Sequence, residues 1–272
     1  MITTKISGTA VQTVTCQLAP GQTMYGEPGK FLWKTQNVTL QTRLAGPPGT
    51  AGGAGGGAGG GAGGAAGTGA AGGLLSKALD VGKRLLADEH MAFEYFTPNG
   101  GNGLVGFAGV LPGELRVLEL TGGAGWYTEG GAFVAAETGV AFDIAFTGLR
   151  AGLRGGEGFI LEHFTGAGTL VVAAAGSVIE LNPAKYGGTV QVHTGCVVAF
   201  EDHLGFSVER IGGLGMQTAM NALFGDGSTV VTITGDGTVL IQSVTLRALA
   251  GTLQQHMRGQ GGERKSGIGQ FL

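Results

Sequence analysis

The chain carries one pattern twice, and that limits what it can fold into more than any other feature. Residues 155 to 181, GGEGFILEHFTGAGTLVVAAAGSVIEL, read as a turn, an apolar strand, a Thr-Gly turn and a second apolar strand. Residues 224 to 249, FGDGSTVVTITGDGTVLIQSVTLRAL, read the same way. An offset of 69 residues pairs Glu157 with Asp226, Gly158 with Gly227, Phe164 with Ile233, Gly166 with Gly235, Gly168 with Gly237 and Thr169 with Thr238. Agreement at one offset across a tight turn is the mark of a duplicated unit, which must be recognised before any single element is assigned.

A third, weaker copy opens at MAFEYFT, residues 91 to 97, where Asp88-Glu89-His90 stands in the place of Gly156-Glu157-Gly158. The other half of the unit also repeats. GAFVAAETGVAFDI at 131 to 144 matches GCVVAFEDHLGFSV at 195 to 208 with an offset of 64, pairing Glu137 with Glu201 and Phe142 with Phe206. GKFLWKTQNVTLQT at 29 to 42 fits the same frame more loosely. Each copy alternates apolar and polar residues around a polar turn, the signature of a β-hairpin. The expectation is an all-β domain over 1–249, made of three strand-rich units near 1–120, 121–190 and 191–249.

Residues 46–73 form a Gly/Ala insert, and within 49 to 73 only Thr50 and Thr68 are neither glycine nor alanine. Such side chains bury too little area to offset roughly 1–2 kcal/mol of backbone entropy per ordered residue. A flexible loop is expected there, one that the logarithmic growth of loop-closure entropy lets a fold tolerate. Three short helices are expected from periodicity. One, at 73 to 87, aligns Leu75, Leu79 and Leu86 opposite Lys77, Lys83 and Arg84; a second carries Met216, Ala219, Met220 and Leu223; the last starts at Leu246 and repeats at Leu249, Leu253 and Met257. A mobile tail from Arg258 completes the C-terminal segment 250–272.

Composition excludes more than it assigns. A net charge of -3 gives no basic face for a nucleic-acid backbone, so RNA or DNA is not the expected partner. No run approaches the roughly 18 apolar residues of a membrane helix, and the N-terminal MITTKISGTAVQTVTC lacks a signal-peptide core. Cys16 and Cys196 stand in apolar surroundings without CxxC spacing and read as buried free thiols of a cytoplasmic protein. The GNGLVG at 101 to 106 matches a dinucleotide fingerprint only formally, since a strand, a turn and another strand follow it where a helix is needed.

The residues that could carry a site are few. His163, His193 and His203 are the candidates for a ligand or metal cleft, with Glu162, Glu201, Asp202 and Cys196 in the same stretches. Glu162 and His163 are adjacent, so on a strand only one of them faces any given site. Glu89, Glu157 and Asp226 occupy matching turns, where a carboxylate between glycines accepts backbone N–H bonds; they read as structural carboxylates. No nucleophile motif, catalytic group, cofactor or metal set emerges.

GGEGFILEHFTGAGTLVV, VHTGCVVAFEDHLGFSVERIGG at 192 to 213, and LFGDG with TGDGTVLIQS at 234 to 243 resemble bacterial relatives of the altered-inheritance-of-mitochondria protein twenty-four family. The likeness spans nearly the whole chain apart from the insert and tail, and it departs from the family pattern at Ser228 to Val231. It implies three β-sandwich repeats similar to the tryptophan RNA-binding attenuator protein, a short double-stranded β-helix, packed about a pseudo-threefold axis. Mitochondrial relatives are associated with inner-membrane organisation. Repeats, low charge and the lack of a convergent site together predict a non-enzymatic, homo-oligomeric scaffold or binding protein with an unidentified protein partner. The alternatives are a small-ligand or metal-binding protein with a cleft between repeats, and an RNA-binding or peripheral membrane-associated regulator. Membrane association would use the helix at 73 to 87.

Overall fold

The computed structural model describes residues 1–43, 92–147, 159–210 and 229–261. The Gly/Ala insert, the expected helices at 73 to 87 and 216 to 223, and Glu89, Glu157 and Asp226 lie outside the described residues. Within them the protein is all-β. Eighteen strands precede one terminal helix: β1 (Thr3–Ser7), β2 (Thr13–Leu18), β3 (Met24–Gly26), β4 (Phe31–Lys34), β5 (Val38–Arg43), β6 (Phe93–Pro98), β7 (Gly103–Ala108), β8 (Leu115–Thr121) and β9 (Trp126–Glu129) in the first half, then β10 (Phe133–Glu137), β11 (Val140–Thr147), β12 (Ile160–Ala173), β13 (Val178–Leu181), β14 (Thr189–His193), β15 (Val197–Glu201), β16 (Gly205–Arg210), β17 (Thr229–Thr234) and β18 (Val239–Gln242), with α1 (Leu246–Gly261) at the end.

The strands form where the sequence alternates. In β2, Val14, Cys16 and Leu18 are buried while Thr13, Thr15 and Gln17 face outward, the period-2 pattern of a strand with one wet face. Every ladder between named strands is antiparallel. A four-stranded sheet runs β1-β2-β7-β4, a long one follows β13-β18-β15-β9-β12-β10-β3-β6-β5, and a three-stranded one is β14-β17-β16. The strands expected on either side of the three polar turns are present as β4 and β5, β10 and β11, and β15 and β16, but they are not hairpins: β4 pairs with β7 and β5 with β6, β10 with β3 and the second half of β12 and β11 with its first half, and β15 with β9 and β18 and β16 with β17. Each turn carries the chain from one ladder to another, and the expected terminal helix begins at Leu246.

A second expectation is corrected. The Thr-Gly segment at 165 to 168 does not turn the chain, because β12 passes through it as a single strand of 14 residues. Gly166 at φ 98° and Gly168 at φ 146° bend that strand, so that its first half pairs with β9 and β11 and its second with β8 and β10. The neighbouring ladders hold the bend open, where in a free hairpin the same glycines would reverse it.

Three Gly-x-Gly segments share their contacts. Gly101, Gly166 and Gly235 all have positive φ, at 87°, 98° and 123°. The N–H of the third residue beyond each is taken by a side-chain oxygen: Leu104 N donates to Thr35 Oγ1 at 3.0 Å, Thr169 N to Glu137 Oε2 at 2.7 Å, and Thr238 N to Glu201 Oε2 at 3.3 Å. In the later two segments the second glycine has no Cβ because the clamp needs its space, while at Gly103 it is Val38 that fills the position. A Cβ on Gly168 would lie 3.0 Å from the Glu137 Cβ, and one on Gly237 would lie 2.6 Å from Glu201 Oε2.

Three apolar clusters lie between the sheets. The central one packs Tyr25, Phe93, Phe133, Phe142 and Phe164, with Phe133 and Phe164 at 4.8 Å between ring centroids. A second gathers Val14, Cys16, Leu18, Phe96 and Phe107, and a third Leu161, Phe200, Val231 and Ile233. Phe133→Ala empties a fully buried site touching four aromatic rings. It should lower the unfolding free energy by about 3–5 kcal/mol in urea titrations, while Val110→Ala, at 73% exposed, should change it by less than about 0.5 kcal/mol.

Candidate functional site

The histidines separate into a pair and a single residue. β12 presents His163 on the face opposite Glu162, as alternation requires, and β15 ends at a turn that carries Asp202 and His203. His163 Nε2 meets Asp202 Oδ2 at 3.0 Å, and the imidazole stacks on Tyr127 at 4.6 Å between centroids. His203 Nε2 lies 2.9 Å from the Asp236 carbonyl and 3.6 Å from Glu201 Oε2. Burial pushes the Asp202 carboxyl up, but hydrogen bonds from His163 and Gly125 and the charges of His163 and His203 outweigh it and hold Asp202 below the usual range.

His193 stands apart at the end of β14. Its Nδ1 accepts from Gly195 N at 3.1 Å, and its Nε2 is buried without a hydrogen bond. The structure thus brings His163 to Asp202 and the adjacent His203 to Glu201 and the Asp236 carbonyl, and leaves His193 elsewhere. Among the described residues, no three His, Cys, Asp or Glu side chains converge in a way that could hold a metal ion.

Sequence reasoning missed a second cluster. In EPGKF, Lys30 reads as a turn lysine facing water, yet it is only 4% exposed. Its Nζ donates to the Phe133 and Gly131 carbonyls and pairs with Glu27 Oε2 at 2.8 Å. Glu162 is buried in the same region and accepts from Thr128 Oγ1 at 3.2 Å. Burial pushes the Glu162 carboxyl well above its ordinary range and the charge of Glu27 adds to this, while Lys30 and the Thr128 hydrogen bond act against it and Glu129 pushes further up. A buried lysine among three glutamates is acid-base material. Here its donors are spent on two carbonyls and one carboxylate that join β3 to β10. Pro28-Gly29 before Lys30 was the only available signal, since it brings the chain back towards the sheet.

The third feature is a cavity of about 480 Å³ lined by Gln22, Thr23, Thr121, Glu137, Thr138 and Gly168 among others. Glu137 faces it while bonded to Thr169 N and, at 3.4 Å, to Gln22 Nε2. None of the three candidate histidines lines it. Neither cysteine forms a disulfide; Cys16 is buried, and Cys196, expected to be buried, is half-exposed. Burial, helped by Glu137, pushes the Cys16 thiol up to about 12, so it is not a thiolate nucleophile. Among the described residues no helix is long and apolar enough to cross a membrane.

The family model described as Mitochondrial biogenesis AIM24 matches residues 4–244. An uncharacterised protein of Streptococcus pyogenes serotype M6 is 28% identical over 246 residues, covering 90% of this chain and 86% of that protein. The crystal structure of another Streptococcus pyogenes protein superposes with a TM-score of 0.66 at 25% identity, covering 94% of this chain and all of that one.

Two titrations follow from these geometries. Because the folded Glu162 value is raised, its contribution is complete below the ordinary glutamate range near about 4.3 and is lost as pH rises through the folded value. Glu162→Gln should therefore gain melting temperature relative to the parent between pH 4 and pH 8; parallel curves would contradict the buried, proton-favouring environment. Asp202 has the opposite sign, since its folded value is lowered. Asp202→Asn should lose about 1 kcal/mol at pH 7, and the difference should close as pH falls through the folded Asp202 value.

Proposed function

The chain belongs to the mitochondrial biogenesis AIM24 family, and from that premise we propose that it is a non-enzymatic, self-associating scaffold or binding protein of the cytoplasm. The observation that carries this reading is the way the polar residues are used. His163 and Asp202 hold each other, His203 holds a backbone carbonyl, Glu137 and Glu201 hold backbone N–H groups, and Lys30 ties one strand pair to the next. Among the described residues, these acid-base groups are spent on positioning strands. A fold that uses its polar side chains in this way offers surfaces and edges for binding.

The architecture we propose beneath this function is a triplication. Three sets of strands, β2 to β7, β8 to β12 and β13 to β18, have the same order and the same antiparallel partners once the two halves of β12 are counted separately. The three clamped glycine segments fall at matching places in these sets. The contact of Glu129 Oε2 with Gly131 N at 2.9 Å also matches that of His193 Nδ1 with Gly195 N at 3.1 Å. GNGLVG, meaningless as a nucleotide fingerprint, is in this reading the first unit's copy of GAGTLV and GDGTVL. These correspondences support three attenuator-protein-like repeats. In this reading the unit boundaries fall near residues 110 and 175, where sequence matching suggests 120 and 190. A pseudo-threefold axis would further need a junction between β14 and β4, and no such ladder exists in the described structure.

A second reading, a small-ligand protein, draws on the cavity of about 480 Å³ beside Glu137, which lies between the first and second sets of strands. Native mass spectrometry of protein purified from its own cells separates the two. Homo-oligomers of bare chain mass are expected; added mass per subunit that is lost in Glu137→Gln would favour the ligand reading. A strict monomer that captures no partner would contradict the scaffold.

A further inference from the structure

The three-unit reading leaves two strand edges without the neighbour that their counterparts have. The first set joins the second through β3 and β10, with Gly26, Tyr25 and Met24 opposite Ala135, Ala136 and Glu137. The second joins the third through β9 and β15, with Thr128, Tyr127 and Trp126 opposite Ala199, Phe200 and Glu201. The two ladders have one register, because the residues of β3 correspond to those of β9 and the residues of β10 to those of β15. The strand of the third set that corresponds to β3 and β9 is β14, and the strand of the first set that corresponds to β10 and β15 is β4. Among the described residues, each of these two pairs on one side only, β14 with β17 and β4 with β7.

We infer that β14 of one copy pairs antiparallel with β4 of a second copy, continuing between chains the junction that occurs twice within each. Resting on the scaffold reading, this names its partner and its surface. The inferred register sets Val192 opposite Trp33, Gln191 opposite Lys34 and Val190 opposite Thr35. Exposure supports it: Leu32 and Trp33 are 51% and 42% exposed, whereas the residues that correspond to them, Val134 and Ala135 in β10 and Val198 and Ala199 in β15, are all fully buried. A row of unpaired N–H and C=O groups beside two large exposed apolar side chains is a template for another strand.

Lys34 weighs the other way, since a lysine on an edge strand discourages pairing. Its neighbour in the inferred ladder, Gln191, is exposed, so the ammonium keeps its water. The contact joins two different surfaces and is heterologous, so it builds rings if the rotation closes and open rows if it does not.

The test uses two blocked variants. Leu32→Asp puts a charge on the β4 edge at a side chain that is half-exposed already, and Gln191→Pro removes an amide donor from the β14 edge. The full-length protein should form concentration-dependent oligomers by sedimentation velocity between 1 and 100 µM, and each variant alone should associate at least tenfold more weakly while keeping the parent circular dichroism spectrum. Mixed in equal amounts, the variants should form a dimer and nothing larger, because each keeps the edge that the other lacks. Since that result requires folded variants, it also excludes misfolding as the cause of the loss. Oligomers that persist in both variants, or that vanish only when chain beyond Thr245 is removed, would overturn the β14–β4 interface and leave self-association standing through another face. A parent chain that stays monomeric at 100 µM would overturn self-association itself.

Discussion

The fold depends on one small device, a side-chain oxygen that accepts the N–H left behind when the chain bends at a Gly-x-Gly segment. Where a strand bends, the ladder is broken and a backbone donor loses its partner. Burying that donor unpaired costs about 1–3 kcal/mol. Thr35, Glu137 and Glu201 each supply the missing acceptor from the turn that crosses the bend, so that turn and the bent segment are fastened together at the point of weakness. The acceptor can be a hydroxyl or a carboxylate, which is why sequence similarity is weak there although the contact recurs. The glycines are less free to vary, since positive φ at the first and the space taken at the second, by the clamp or by Val38, both exclude a Cβ.

A second constraint acts where sets of strands meet. The β3–β10 junction encloses Lys30, Glu27 and Glu162, a costly choice compared with apolar residues of similar volume. Its effect is to specify how the strands align, because Lys30 reaches the Gly131 and Phe133 carbonyls only when Glu27 is opposite Val134, whose carbonyl accepts from Glu27 N at 3.3 Å. In the later junction Ala132 and Cys196 take the places that correspond to Lys30, so the polar lock belongs to the first junction alone. Aromatic packing of Tyr127, Phe200 and Phe206, at 5.3 to 5.5 Å between centroids, marks the second.

Alternation made much of this fold legible before any coordinates. The strands on either side of the turns at Gln36, Thr138 and Asp202 and the helix from Leu246 stand where period and turn residues put them, because those signals are local; pairing is not, and the two strands at each turn enter different ladders where sequence suggested a hairpin. What needed the structure was long-range. The 165 to 168 segment has the composition of a turn, and only ladders contributed by β8, β9, β10 and β11 keep it a bent strand. Lys30 looks solvated in its own peptide and is buried by residues about a hundred positions away. Of the site candidates, His163 reaches Asp202, the neighbour of His203 in its turn, because β9 lies between their strands, while His193, no less plausible in sequence, ends on another sheet. Glu137 and Glu201 were already paired at the offset of 64; their role was missed because matching shows that a residue recurs and not what it touches.

The central claim is that three equivalent clamps organise three equivalent sets of strands. Native-state amide exchange at Leu104, Thr169 and Thr238, followed by NMR, tests it most directly. All three should be protected, and removing the acceptor by Thr35→Val, Glu137→Ala or Glu201→Ala should speed exchange at the matching amide while the other two stay slow. Fast exchange at any of the three in the unmodified protein, or an acceptor change felt equally at all three, would contradict the account.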